Sequence, residues 1–230
     1  YASGFGVAAT PGATIERGLK SRNLIAGMPG GVFFVGDDNV AYMGSMNGLQ
    51  PISITAVSVA IANGNPERAF YFESLGNAFV ALIFADRPAW VYNTKTGEWC
   101  ERAQGVNLGA WDAKACVKAL GTFYVGTDSG LVATLGRTNQ DFGATMTRRI
   151  VSRTIAQDGV RFNVPKVQVT TKAGFYGPAP TIGMRMSNTF GMTWQVDRTQ
   201  SLGELGEYLD RTMFRKLGRY RQATMELTLS

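Results

Sequence analysis

Residues 69–103 have the sequence AFYFESLGNAFVALIFADRPAWVYNTKTGEWCERA, and this stretch decides the fold. It contains four short apolar or alternating runs, at 69–73, 78–84, 89–93 and 98–103. The connections between them are rich in Gly, Asn, Asp, Pro and Thr, most of which are residues that tight turns prefer. Short runs joined by such connections predict four consecutive antiparallel strands.

Four strands in so short a stretch are typical of one blade of a β-propeller. The same spacing recurs on either side of it. A strand at 31–35 is followed by turn residues and a second strand at 40–43, which together predict a hairpin. Further strands are predicted at 114–120, 122–125 and 131–135, and the 28 evenly spread glycines supply the turns.

After Gly136 the hydropathy pattern changes. Apolar and polar residues now alternate as they do in half-exposed strands. Such runs lie at 148–155, 166–171 and 181–186. The clearest strand lies at the end of the sequence, in residues 225–230. Its apolar residues face one side and its polar residues face the other: Met225, Leu227 and Leu229 against Glu226, Thr228 and Ser230.

We therefore predict an all-β protein with propeller-like blades of short antiparallel strands and few or no long helices. One short helix is expected within 51–63, with Ser53 as a candidate N-cap. The blades occupy residues 1–145, and a C-terminal β region occupies 146–230. An N-terminal portion is expected to be missing, because the first residue is Tyr1.

The composition excludes several chemistries. There is no histidine, so a Ser-His-Asp triad, a Cys-His pair and a His-ligated metal site are excluded. Cys100 and Cys116 are too few for a zinc cluster or a disulfide framework. We predict no enzymatic activity, no cofactor and no metal. No apolar run approaches the ~20 residues that cross a bilayer, so no membrane-spanning segment is expected.

The segment SNTFGMTW at 187–194 resembles the Asp-box of sialidases and related propellers. The matching residues are Ser187, Gly191, Thr193 and Trp194, and Thr189 stands where that box has Asp. The resemblance implies a hairpin turn remote from any active site. A Gly permits the tight turn, small hydroxyls satisfy turn amides, and Trp packs back on the sheet.

Residues 91–99, VYNTKTGEW, resemble the inter-strand turn of kelch blades. Tyr92 and Trp99 would then cover the core from two adjacent strands. This motif also describes a scaffold and carries no substrate information.

The positive charge is concentrated near the C-terminus. The formal net charge is +6, and residues 211–230 contribute +4 of it, with Glu226 as the single acid. Their basic residues are Arg211, Arg215, Lys216, Arg219 and Arg221. They form a candidate interface with an acidic surface or a phosphate backbone. The alternatives are a solvated strand face, or pairing within the fold with Glu204, Glu207 and Asp210.

Taken together, the blade-like segments and the C-terminal motif resemble the tail hub, or nozzle, proteins of short-tailed bacteriophages, also called packaged-DNA stabilisation proteins. In this family a turn ending in Gly-x-Thr-Trp is followed by Ser-Leu-Gly, Gly-Glu-Tyr, an Arg, an aromatic residue, Leu-Gly and Arg-x-Arg. The corresponding residues here are Gly191, Thr193, Trp194, Ser201, Leu202, Gly203, Gly206, Glu207, Tyr208, Arg211, Phe214, Leu217, Gly218, Arg219 and Arg221. Phe214 stands where a Trp is expected.

The resemblance implies a structural virion protein of the tail that is assembled in the host cytoplasm. Its members form a homo-hexameric ring below the portal and adaptor proteins, close the channel, retain the packaged DNA and carry the needle, fibres or tailspikes. The five basic residues of 211–221 would then contact a neighbouring subunit, another tail protein or packaged DNA in the lumen.

Two other functions stay open at this point. A sialidase-like glycosidase needs facing carboxylates, and a sialoside assay with variants of Glu98 and Asp128 would test it. A kelch-type binding module would be a monomer that binds a peptide, whereas a tail hub would form a ring of six.

Overall fold

The computed structural model describes residues 17–45, 48–136, 140–171, 180–207 and 211–229. Within these ranges the chain forms twenty β-strands and a single helix of nine residues, so the predicted all-β class is confirmed. No helix within these ranges is long and apolar enough to cross a membrane. The chain divides into two compact units: unit 1 comprises 1–104 and 108–138, and unit 2 comprises 105–107 and 139–230.

Unit 1 begins with a four-stranded antiparallel sheet whose strands pair in chain order. They are β1 (Ile25–Met28), β2 (Gly31–Val35), β3 (Ala41–Ser45) and β4 (Gly48–Pro51). The hairpin predicted from 31–43 is confirmed by the pairing of β2 with β3. Its turn contains Asn39 with a φ of 63°, a left-handed conformation that Asn tolerates better than most residues.

The helix α1 (Thr55–Asn63) confirms the short helix expected within 51–63. It buries Val57 and Ile61 in a core cluster that contains residues of the first sheet and of strands in 66–84. The predicted N-cap is wrong: Ile54 occupies that position, and no side chain caps the helix. Ser53 instead accepts the amide hydrogen of Ala41 on its Oγ at 3.2 Å, which ties the helix entry to β3.

The four strands predicted from 69–103 form a second sheet, again paired in chain order. They are β5 (Pro66–Ser74), β6 (Asn77–Phe84), β7 (Ala89–Asn93) and β8 (Glu98–Arg102). Strand β6 is buried over its last five residues, and Val80, Leu82 and Phe84 belong to the core cluster that contains the buried residues of α1. The rings of Tyr92 and Trp99 lie 5.0 Å apart, and the indole Nε1 of Trp99 donates to the carbonyl of Ile52 at 2.8 Å.

A third sheet consists of β9 (Ala115–Ala119), β10 (Thr122–Gly126) and β11 (Val132–Thr134), close to the predicted positions. The first strands of the three sheets lie side by side, β5 between β1 and β9. The amide of Ala69 donates to the carbonyl of Asn23 on one side, and Lys118 pairs with Glu73 at 2.9 Å on the other. This arrangement of successive meanders is compatible with consecutive blades of a propeller.

Unit 2 is a two-layered sandwich of antiparallel strands. Its strands are β12 (Gln140–Asp141), β13 (Ala144–Thr145), β14 (Arg148–Val151), β15 (Ile155–Ala156), β16 (Phe162–Val169), β17 (Thr181–Ser187), β18 (Arg198–Ser201), β19 (Thr212–Tyr220) and β20 (Gln222–Leu229). One layer has the order β14-β20-β17-β18, with β15 also paired to β20. The other is the β16–β19 ribbon, and β12 pairs with β13 separately.

The core of unit 2 lies between these two layers. Alternate residues of β17, Ile182 and Met184, are buried against Phe214 and Leu217 of β19. The predicted apolar side of the last strand is confirmed, because Met225, Leu227 and Leu229 pack against this cluster. One residue, Arg221, separates β19 from β20, so the chain passes from one layer to the other in a single step.

A β-bulge interrupts the β16–β19 ribbon. The regular register breaks between Val164 and Lys166. Pro165 lies at this point, and a proline has no amide hydrogen to give to the partner strand, so it is tolerated at bulges. On the opposite strand Lys216 has a φ of 57°. The alternation of side chains in β19 is therefore reset at Lys216.

Candidate interaction surfaces

The Asp-box-like segment forms a tight turn directly after β17. Ser187 is the last residue of this strand and is only 1 % exposed. Its Oγ accepts hydrogen bonds from the amides of Thr189 at 3.1 Å and of Gly191 at 2.9 Å. Gly191 has a φ of 84°, which a glycine adopts without a steric cost. Ser187 and Gly191 thus shape the turn.

Thr189, at the position of the box's Asp, supplies an oxygen to the same turn. Its Oγ1 accepts the amide hydrogen of Thr193 at 2.8 Å and lies 2.8 Å from the hydroxyl of Thr193. Ser and Thr hydroxyls stabilise turns in this way, although more weakly than Asp does. The loss of the Asp therefore does not abolish the turn.

Trp194 contacts the sheet through the side chain of Arg185. The guanidinium carbon of Arg185, on β17, lies 5.0 Å from the centroid of the Trp194 ring, within cation–π range. The Nε of Arg185 in turn donates to Oε1 of Glu226 on β20 at 2.6 Å. Glu226 lies opposite the apolar side of its strand as predicted, but it is only 3 % exposed. The turn, β17 and β20 are thereby joined.

Three large apolar side chains of the Asp-box-like turn and the chain that follows it are exposed. Phe190 is 67 % exposed, and Met192 and Val196 are each 86 % exposed. Large exposed apolar side chains that lie near one another in the chain are candidates for contact with other molecules. The turn therefore has a buried base that is hydrogen-bonded and an apolar tip that is open to solvent.

The predicted basic residues lie on or beside β19. Arg211 precedes the strand, Arg215, Lys216 and Arg219 belong to it, and Arg221 follows it, all of them exposed. Among the described residues no carboxylate forms an ion pair with Arg215, Lys216, Arg219 or Arg221. Glu207 instead accepts the amide hydrogen of Glu204 at 2.9 Å, and Asp210 lies outside the described residues.

Two further basic residues join this surface, and neither was predicted from the sequence. Lys166 is the direct cross-strand partner of Arg215 in the β16–β19 ribbon. Arg198, on β18, donates from Nη1 to the backbone carbonyl of Arg215 at 2.8 Å. We call Lys166, Arg198, Arg215 and Arg219 the basic face. Polar and apolar residues alternate in 166–171, and this alternation could have placed Lys166 on the exposed side of its strand.

The net charge is confined to one unit. Residues 139–230 contain thirteen basic and seven acidic residues, which accounts for the whole formal charge of +6, whereas the rest of the chain is balanced at ten of each. In unit 1 several basic side chains form ion pairs, such as Lys114 with Glu67 at 2.5 Å. The formal excess of positive charge therefore lies in unit 2, where it can attract an external anion.

Several acids of unit 1 are engaged in local pairs, and others are exposed. Asp128 has a side chain that is 74 % exposed and lies 3.4 Å from the ammonium of Lys114, and Glu98 is exposed on β8. Tyr71 donates to Glu73 at 2.5 Å. Burial, together with this hydrogen bond, raises the pKa of Tyr71 to about 12. The hydrogen bond from Tyr71 and the pair with Lys118 lower the pKa of Glu73.

The two thiols are poor nucleophiles at neutral pH. Burial raises the pKa of Cys116 to about 11 and also raises the pKa of Cys100, and the thiolate is the reactive form. Within the described ranges no group of three Cys, Asp or Glu side chains is placed to hold a metal ion.

Comparison with known protein families finds one match in unit 2. Residues 147–225 match the family described as bacteriophage P22 Gp10, beta-sandwich. The matched segment contains β14 to β19 and the first half of β20, which build the sandwich seen here. No curated protein matches the chain. The match indicates a structural protein of a bacteriophage tail and a component of the virion.

Proposed function

Starting from the match of residues 147–225 to the P22 Gp10 beta-sandwich, we propose that this chain is a subunit of a tail hub, or nozzle. Six copies form a ring that lies below the portal and adaptor proteins. The ring closes the channel, retains the packaged DNA and attaches the needle, fibres or tailspikes. The role is structural and requires no active site or cofactor.

The family match is the observation that carries this proposal. It agrees with the motif at 187–221, which extends from the Asp-box-like turn through β19. Three meanders of unit 1 and the sandwich of unit 2 supply a scaffold whose regular structure consists mainly of hydrogen-bonded strands. Such a scaffold suits a protein whose work is assembly.

The apolar tip of the Asp-box-like turn supports an assembly role. Phe190, Met192 and Val196 are exposed together, and Phe and Met are enriched at protein–protein interfaces. The hydrogen bonds at the base of the turn hold the tip in one conformation, so little entropy would be lost when a partner covers it.

The proposal is tested by the mass and shape of the purified full chain. Light scattering and native mass spectrometry should give a species of six times the 24.8 kDa chain, and negative-stain images should show a hollow ring. The variant Phe190→Ser/Met192→Ser should shift the population towards smaller species. A chain that stays a monomer across the micromolar range, with native strand content, would contradict the proposal.

A further inference from the structure

We propose that the basic face of unit 2 binds the phosphate backbone of duplex DNA without reading its sequence. The face consists of Lys166 and Arg215, directly opposite each other in the β16–β19 ribbon, with Arg219 further along β19 and Arg198 at the edge of β18. This inference rests on the proposed function for its biological setting, but its physical basis lies in unit 2 alone.

The first argument is the absence of an internal counter-charge. Lys166 and Arg215 are exposed and are cross-strand partners, and like charges in this position repel each other. No described carboxylate forms an ion pair with any residue of the basic face. An external polyanion would relieve this repulsion.

The second argument is the orientation that the ribbon imposes. Phe214 and Tyr220 of β19 point into the core, while Arg215 and Arg219 are exposed. Asn163 is the cross-strand partner of Arg219, as Lys166 is of Arg215. These partners are three residue steps apart on β16, which places the two arginines roughly 10 Å apart along the ribbon. Duplex DNA carries one charge per ~1.7 Å of its axis, so this length faces several phosphates.

The hydrogen bond from Arg198 fixes a fourth charge next to the ribbon. Its guanidinium donates to the carbonyl of Arg215, so its position is tied to the backbone of β19. Thr212 makes a second link between these strands, because its Oγ1 donates to the carbonyl of Ser201 at 3.2 Å. The basic face is therefore carried by strands of both layers rather than by a loop.

The composition of the face favours DNA over a protein partner. The core of a protein–protein interface is usually apolar and contains aromatic anchors. Apart from the charged side chains, the exposed residues of the ribbon are small or polar, namely Asn163, Pro165, Gln168 and Gly218. No aromatic side chain is exposed on the ribbon that could stack on a base, so contact with phosphates is the interaction that this face offers.

The experiment measures binding of the full chain to a fluorescently labelled duplex of about two helical turns by anisotropy, at several salt concentrations. With three to four phosphate contacts, the dissociation constant should rise about 40- to 150-fold between roughly 50 and 200 mM salt. Duplexes of equal length and unrelated sequence should bind equally well.

Variants separate this face from the overall charge. Arg215→Gln/Arg219→Gln should weaken binding at about 50 mM salt by at least tenfold and lower the slope of log affinity against log salt by about 2. Arg68→Gln/Lys95→Gln removes two exposed charges from unit 1 and should leave the slope unchanged. Equal losses in both variants would overturn the proposal, since binding would then follow net charge alone.

Two further outcomes decide the remaining alternatives. Tighter binding to polyglutamate than to DNA of the same charge would overturn the proposal in favour of an acidic protein partner. Ring formation is measured separately by mass. If the protein forms a ring but does not bind DNA, only this inference is contradicted. If it stays a monomer and binds DNA through the basic face, only the proposed function is contradicted.

Discussion

Arg185 and Glu226 are direct cross-strand partners in the pairing of β17 with β20, and they form an ion pair at 2.6 Å. The carboxylate of Glu226 is buried, whereas 37 % of the Arg185 side chain is exposed beneath Trp194. Because a buried carboxylate needs a partner, this pair fixes the register of the last strand and the position of the Asp-box-like turn.

Removing Arg185 should destabilise unit 2. The variant Arg185→Met leaves the buried Glu226 without its cation, and the free energy of unfolding should fall by about 2–3 kcal/mol. Chemical denaturation followed by circular dichroism measures this. The double variant Arg185→Met/Glu226→Leu should recover most of the loss, because no charge is then left buried. A double variant as unstable as the single one would refute this account.

Ser187→Ala should loosen the Asp-box-like turn. The change leaves the amides of Thr189 and Gly191 without their acceptor, and we expect a loss of about 1–2 kcal/mol in the free energy of unfolding. Ser74→Ala serves as the control, since no described hydrogen bond involves that hydroxyl, and it should cost less than about 0.5 kcal/mol. Equal effects of the two substitutions would show that the Ser187 bonds contribute nothing.

Lys166→Glu should stabilise the protein while it weakens DNA binding. The change converts a like-charge pair with Arg215 into an attractive one and should raise the free energy of unfolding by about 0.2–1 kcal/mol at low salt. The gain should shrink as salt is added, because the pair is exposed. Lys166→Gln is the neutral intermediate. A destabilised Lys166→Glu variant would mean that the two side chains do not face each other.

Tyr71 should contribute to the loss of stability at high pH. Its pKa in the folded protein is about 12, above the ordinary value of 10.0, so its contribution is complete below pH 10 and is lost as the pH rises through about 12. Ultraviolet titration of tyrosinate should show one group near pH 12 that is absent in Tyr71→Phe. In Glu73→Gln the pKa of Tyr71 should fall only part of the way, because burial is the larger cause.

The strands of unit 1 were largely predictable because strands that are consecutive in the chain pair with each other. Strands β5 to β8 lie between turn residues that the sequence displays, and neighbours along the chain are also neighbours in the sheet. Alternation and turn chemistry suffice for such a meander. The N-cap was mistaken at Ser53 because its hydroxyl bonds to β3, a contact that residues 51–63 do not reveal.

Unit 2 was less predictable because its contacts are distant in sequence. Strand β19 escaped prediction since the bulge at Lys216 breaks the alternation that identifies a strand. The burial of Glu226 depends on Arg185, 41 residues away, and the basic face depends on pairing that brings Lys166 beside Arg215. The basic residues of 211–221 were visible as a cluster, but which of them share a surface is decided by the sheet.

The single residue between β19 and β20 has a mechanical consequence. With only Arg221 between the layers, a pull on the C-terminal strand is transmitted to the ribbon without slack. An inserted residue at this junction would move one strand relative to its partners, and a one-residue slip would take Leu227 out of the core between the layers and bring Glu226 into it. A tag inserted at this junction is therefore expected to disrupt the pairing of the sandwich strands.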